Sequence, residues 1–85
     1  MKMIQCAIFD SKAEQYGKLI PFPNEAVAER TFEYIVNDEQ TEFFKNPEDY
    51  TLMALGEYDD ETGTITNYEA NRAIAAAITL KKETK

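Results

Sequence analysis

The fold is decided by residues 46–65, NPEDYTLMALGEYDDETGTI, which hold a turn, a buried strand, an acidic hairpin loop and the start of a second strand. Pro47 fixes its own φ and disfavours a helical conformation in the residue before it, so any preceding helix ends there. Residues 52–55 are apolar on both alternating faces, which is typical of a strand covered on both sides. Residues 59–63 form a polar reversal in which Gly63 is free to adopt a positive φ. The segment therefore predicts a β-hairpin.

The flanking sequence predicts one further strand and two main helices. Alternating apolar residues indicate a strand over residues 3–9, followed by a loop over residues 10–22. Asn24 is a good N-cap for a helix over residues 25–36, and a short helical turn is expected over residues 41–45. After the hairpin, Thr66 and Glu69 match a capping box, so the alanine-rich run EANRAIAAAITLKK, residues 69–82, predicts a second helix.

This order gives an α+β fold, a small βαββα domain with a three-stranded mixed sheet and helices packed on it. A right-handed crossover makes the first two strands parallel, and the hairpin adds the third strand antiparallel. The two-sided apolar pattern places the strand at 52–55 in the centre. The alternative is a ferredoxin-like arrangement that lacks its last strand and has the third strand central. Residues 1–80 are expected to form one domain, with residues 81–85 as a flexible tail.

Composition argues against catalysis. The 85 residues include no histidine and a single cysteine, so the common general base is absent and an internal disulfide is impossible. Cys6 is expected to be a buried, reduced thiol inside a strand. The acidic hairpin does not have the ligand spacing of a calcium loop, and the three scattered glycines do not form a phosphate-binding loop. Gly56 inside the strand pattern instead indicates a bulge or a close approach of the backbone. We expect a protein that is not an enzyme and has no cofactor or metal.

The start of the chain lacks a secretory signal, and no apolar run approaches the length needed to span a membrane. We therefore expect a cytoplasmic protein without a membrane partner. The net charge of −7 weighs against strong nonspecific binding of polyanions. Basic residues nevertheless concentrate in the first half of the chain, and acidic residues crowd the hairpin.

Four segments together resemble a known family. They are IFDSKAEQYGK at residues 8–18, PFPNEAVAERTF at 21–32, FFKNPEDYTL at 43–52 and GEYDDETG at 56–63. In this order they resemble the small nonstructural protein of gokushovirus-type microviruses, tailless bacteriophages with circular single-stranded DNA genomes. The resemblance covers residue 4 to about residue 68. The alanine-rich end departs from relatives, which usually continue with an acidic segment that contains proline.

The resemblance implies a non-virion accessory protein, located in the cytoplasm of the infected bacterial host. Such proteins are often described as DNA-binding, with a part in genome replication and in the synthesis or packaging of progeny single strands. If single-stranded DNA is bound here, basic groups and an aromatic ring in the matching segments are the candidate contacts. These candidates are Lys12, Tyr16, Lys18, Arg30 and Lys45.

The alternative is an acidic, homodimeric protein-interaction module that does not bind DNA itself. Its acidic hairpin would contact the phage replication initiator, a host replication factor or a basic DNA-condensing protein. The candidate contact residues are Tyr58, Asp59, Asp60 and Glu61. A homodimer is expected under either hypothesis because the predicted sheet leaves an unpaired edge.

Overall fold

The computed structural model describes residues 1–82 and has one sheet with helices on one of its faces. The strands are β1 (Lys2–Asp10), β2 (Gln15–Tyr16), β3 (Ile20–Phe22), β4 (Tyr50–Asp59) and β5 (Thr64–Ala76). The helices are α1 (Glu25–Val36), α2 (Glu42–Lys45) and α3 (Ala77–Leu80), and a single 3₁₀ turn spans Pro47–Asp49. None of the helices within residues 1–82 has the length and hydropathy required to cross a membrane.

All the strand pairs are antiparallel. The order across the sheet is β2, β1, β4 and β5, and β3 pairs with β1 along the same edge as β2. The α+β class is therefore confirmed, and β4 lies between β1 and β5 as its two-sided apolar pattern predicts. The expectation of a three-stranded mixed sheet is wrong, and so is the ferredoxin-like alternative, because β5 is an edge strand.

The segment between β1 and α1 explains why no parallel strand pair forms among residues 1–82. Residues 10–22, expected to be a loop, reverse the chain and pair Ile20 with Cys6 and Phe22 with Ile4. Helix α1 consequently begins near the start of β1 and runs toward its end. β4 then enters beside the end of β1, with Tyr50 opposite Asp10, and must run antiparallel to it.

Helix α1 covers one face of the sheet. Its bounds and its N-cap are as the sequence predicts, since the Asn24 side chain accepts a hydrogen bond from the backbone N–H of Val27. Its buried residues meet one face of β1 and β4, together with β3 and α3. The resulting core consists of Cys6, Phe22, Ala28, Phe32, Val36, Leu52 and Ala77.

The predicted turn before β4 is also present. Thr41 caps α2 by accepting a hydrogen bond from the backbone N–H of Phe44, and Pro47 starts the 3₁₀ turn. The Phe43 ring lies edge-on to Phe32 and to Tyr50, with ring centroids 6.2 and 4.7 Å apart. This aromatic cluster joins α1 to the start of β4.

The expected helix over residues 69–82 is wrong over most of its length. Residues 64–76 form β5, and Thr66 pairs with Glu57 instead of capping a helix. The hairpin turn delivers this segment directly alongside β4, where ladder hydrogen bonds and burial of Ile74 outweigh the helix propensity of the alanines. Within residues 69–82, helical structure is confined to α3.

The expected tail, residues 81–85, is described only in part. Lys81 and Lys82 are described, and both contact the domain. Residues 83–85 lie outside the described residues.

Gly56 marks the closest approach of β4 and β5. The register between the two strands shifts between Ala54 and Gly56. The chain opposite is so near that a Cβ atom on Gly56 would lie 2.3 Å from the Thr66 carbonyl oxygen and 3.0 Å from the Asn67 Cα. The sequence interpretation of Gly56 as a bulge or close-approach position is confirmed.

We predict that Gly56→Ala lowers the free energy of unfolding by about 3 kcal/mol, because backbone atoms must move to admit the methyl group. Gly17→Ala is the matched control. Its Cβ would lie 3.6 Å from the Ile8 carbonyl oxygen, an ordinary contact, so its effect should stay within about 0.5 kcal/mol. Urea denaturation measures both, and equal stabilities of the two variants would contradict the close approach.

Candidate functional site

The candidate DNA-binding residues are divided among different surfaces. Tyr16 and Lys18 line a cavity beneath the loop between β1 and β3, whereas Arg30 lines a separate hollow on α1. Lys12 is exposed in the turn after β1, and Lys45 is exposed at the end of α2. The structure therefore does not bring the five candidates together into one patch.

The cavity beneath the loop, called here the loop cavity, has a volume of about 510 Å³. Its walls come from β1, β3, α1, α2 and β4, and they are largely apolar. The main apolar side chains are Ile8, Ile20, Ile35, Phe43 and Tyr50. A concave apolar site of this size lies within the range of small-ligand and side-chain pockets.

The charge around the loop cavity is mainly negative. Asp10 and Glu42 line it together with one cation, Lys18. Burial is the largest cause that raises the pKa of Tyr50, and the carboxylates of Asp10, Glu42 and Asp49 raise it further. The loop cavity is thus an apolar space flanked by acidic groups.

Tyr16 has structural contacts on both its ring and its hydroxyl. The ring lies 4.8 Å from the Phe9 ring, centroid to centroid, and the hydroxyl accepts a hydrogen bond of 3.0 Å from the Asn71 side-chain amide. Asn71 lies in the irregular part of β5, where Arg72 pairs with Ala54 and Asn67 with Gly56. Tyr16 therefore connects the loop to β5, the strand at the opposite edge of the sheet, although 44% of the Tyr16 surface is exposed.

The second hollow, called here the basic hollow, has a volume of about 200 Å³ and is lined by Arg30, Glu33, Tyr34, Asn37 and Lys82. Tyr34 is 76% exposed, the most exposed large apolar or aromatic side chain among residues 1–82. Arg30 is among the residues predicted from the sequence, whereas Tyr34 and Lys82 are not. Arg30 and Tyr34 are four residues apart on α1, so their shared helix face was detectable from the sequence. The position of Lys82 was not.

Asn37 holds the end of the described chain against α1. Its side-chain amide donates to the Glu33 and Leu80 carbonyl oxygens at 2.9 and 3.1 Å, and its Oδ1 accepts from the backbone N–H of Lys82 at 2.8 Å. Next to it, the Lys81 ammonium lies 4.4 Å from the centre of the Phe44 ring. These contacts place Lys82 in the same hollow as Arg30, and Lys81 near the end of α2.

The acidic hairpin tip is ordered by contacts of its own. The N-terminal ammonium of Met1 donates to Asp60 at 2.7 Å and lies 3.7 Å from Glu61, and the backbone N–H of Glu61 donates to Asp59 at 3.0 Å. The hydrogen bond to Asp60 is the main reason that the pKa of the ammonium is raised. The tip carboxylates are therefore partly compensated, and Tyr58 beside them is half-buried.

The Cys6 thiol and the Arg72 guanidinium are both held in structural contacts. Cys6 is fully buried, as predicted, and Arg72 forms an ion pair with Glu25 at the start of α1. Within residues 1–82, no three His, Cys, Asp or Glu side chains are grouped so that they would hold a metal ion.

Comparisons with known proteins give one consistent result. A family model described as Phage ORF5 protein matches residues 3–80. The chain is 34% identical over 67 residues to Protein ORF5 of Chlamydia phage 1, an alignment that covers 74% of this chain and 70% of that protein. No solved structure matches the chain.

The buried Cys6 thiol makes the stability of the protein depend on pH in the alkaline range. Burial, followed by the charge of Glu25, raises the pKa of the Cys6 thiol from 9.0 to about 11. Because the folded pKa is the higher one, the folded state holds this proton more tightly. The resulting stabilisation is complete below pH 9.0 and is lost as the pH rises toward about 11.

Between neutral pH and the upper end of this range, we expect the free energy of unfolding to fall by on the order of 2 kcal/mol more in the wild-type protein than in Cys6→Ala. Urea denaturation at several pH values measures the loss. Cys6→Ala starts from a lower stability because it leaves a small cavity, so the comparison uses the slope with pH. Parallel pH profiles for the two proteins would show that Cys6 has no part in it.

Proposed function

Because the chain belongs to the Phage ORF5 protein family, we propose that it is a non-virion accessory protein that binds single-stranded DNA during replication or packaging of a phage genome. The matches confirm the resemblance to proteins of gokushovirus-type microviruses. The proposed location is the cytoplasm of the infected bacterium, and the proposed action is binding without catalysis.

The observation that carries this proposal is that the exposed Tyr34 ring lines the basic hollow together with the cations Arg30 and Lys82. Proteins that bind single strands combine aromatic rings, on which bases stack, with cations that meet the phosphates. Stacking on an aromatic ring contributes about 1–3 kcal/mol per base and does not depend on sequence. Lys81 precedes Lys82 in the chain and is a third cation, whose ammonium lies against the Phe44 ring.

Net charge limits the strength of this binding. With nine basic and sixteen acidic residues, the protein as a whole repels a polyanion, so the contact must be local. Two or three phosphate contacts correspond to a slope of log K against log salt of about −1.4 to −2 for a single strand. This is a modest interaction, suited to many copies acting along one strand.

We predict that labelled oligo(dT) binds the full chain and that its affinity falls about tenfold between about 50 and about 200 mM salt. Arg30→Glu combined with Lys82→Glu should abolish binding. Tyr34→Ala should weaken it at least fivefold through lost stacking, and Tyr34→Phe should retain it. Fluorescence anisotropy measures the affinities, and circular dichroism checks the fold of each variant.

Lys12→Glu combined with Lys18→Glu is the matched control because it changes the net charge equally. A larger loss in this control than in the Arg30 and Lys82 variant would move the DNA surface to the loop. Undetectable binding by the folded wild-type protein would refute the proposal. Asn37→Ala tests the placement of Lys82 without changing any charge, and we expect it to weaken binding.

A second candidate function is the acidic homodimeric interaction module, and the outer edge of β5 favours it. Among residues 1–82, no strand pairs with this edge, and Ile65 on it is 63% exposed. Unpaired edges are ready templates for pairing with a second chain. Under this candidate, the tip residues Asp59 to Glu61 meet the phage replication initiator, a host replication factor or a basic DNA-condensing protein.

For this candidate we predict a mass in solution of about twice the 9.7 kDa of one chain, measured by light scattering. Ile65→Lys should return the protein to a monomer because it places a charge on the pairing edge. Ile78→Lys is the control, since Ile78 is 54% exposed on α3 and does not belong to the edge strand. A monomeric wild-type protein would remove the dimer.

A further inference from the structure

The loop cavity is not used by the proposed DNA surface. Ile35 lines the loop cavity, while the preceding residue, Tyr34, lines the basic hollow. Successive residues of an α-helix point about 100° apart, so the two sites lie on different sides of α1. The loop cavity therefore needs an explanation of its own.

Its apolar walls accept a bulky apolar group. The volume of about 510 Å³ exceeds that of any single side chain, and the walls are built from three isoleucines and two aromatic rings. Burying an aromatic side chain there would remove a large apolar area from water on both partners.

The charges around the cavity determine which charged groups can lie beside that apolar group. Asp10 is held in place because its Oδ1 accepts hydrogen bonds from the backbone N–H groups of Lys12 and Ala13, at 3.0 and 3.2 Å. Glu42 faces the same space from α2, and Lys18 alone opposes them. Fixed carboxylates beside an apolar pocket repel phosphates and attract ammonium and guanidinium groups.

We propose that the loop cavity is a docking site for a basic peptide segment of a partner protein, which inserts one aromatic side chain between flanking lysines or arginines. The aromatic ring fills the space between Ile8, Ile35 and Phe43. The flanking cations lie against Asp10 and Glu42. The net charge of −7 adds long-range attraction for such a partner. This site is independent of the DNA surface on the other side of α1.

The test uses the full chain and a labelled peptide of about eight residues, in which lysines and serines surround one tryptophan. We expect saturable binding below about 1 mM, with amide NMR shifts concentrated at Ile8, Gly17 and Ile35. Replacing the peptide tryptophan by alanine should weaken binding at least tenfold, since the anchor is lost.

Two variants of the protein complete the test. Ala13→Trp places a ring at the exposed edge of the cavity and should weaken peptide binding at least tenfold, while Ala13→Ser should not. Glu42→Gln should weaken it about threefold, while Glu29→Gln, on the exposed side of α1, should leave it unchanged.

The proposal is overturned if the tryptophan and alanine peptides bind equally, if Ala13→Trp binds as the wild type does, or if no binding is seen. It is also overturned if oligo(dT) shifts the same amides more than the peptide does. Arg30→Glu with Lys82→Glu must leave peptide binding intact, so failure of this proposal and failure of the DNA proposal are told apart.

Discussion

The two-sided pairing of β1, with β2 and β3 along one edge and β4 along the other, sets the direction of every later element. The reversal after β1 returns the chain to the start of that strand, so α1 runs back along it and β4 enters antiparallel. The same reversal holds the loop above the end of β1. The loop cavity is therefore a direct result of strand pairing, with α1 and α2 as its other walls.

Helix α1 both builds the core and separates the two candidate sites. Ala28, Phe32 and Val36 are buried against the sheet, which fixes the rotation of the helix about its axis. With that rotation fixed, Ile35 must face the loop cavity and Tyr34 must face solvent. Under the two proposals, a polyanion and a basic segment would meet the protein on different sides, and the local charges, rather than the net charge, would select each partner.

Only some of the residues that form the two sites could be predicted from the sequence. Local spacing indicates which residues share a helix face, whereas proximity between distant residues depends on long-range contacts. Arg30 lies in a basic hollow, and its neighbour Tyr34 was detectable from helical spacing alone. Tyr16 is 44% exposed, yet its hydroxyl accepts a hydrogen bond from Asn71, a contact between residues 55 positions apart that no local pattern contains. Lys82 depends on Asn37, which is 45 positions away. The residues assembled by long-range contacts are the ones that the sequence could not supply.

The sequence by itself determined the features that rest on local chemistry. These are the Asn24 cap and the bounds of α1, the stop at Pro47, the reversal at Gly63, whose φ is 72°, and the close approach at Gly56. Tertiary structure alone decided the direction of the strands and the secondary structure of residues 69–76. An alanine-rich segment prefers a helix in isolation, but here the hairpin places it beside the unpaired edge of β4. Ladder hydrogen bonds and the partial burial of Ile74 then outweigh the helix propensity of this segment. That propensity is small, because alanine favours a helix over many other residues by only about 0.5 kcal/mol.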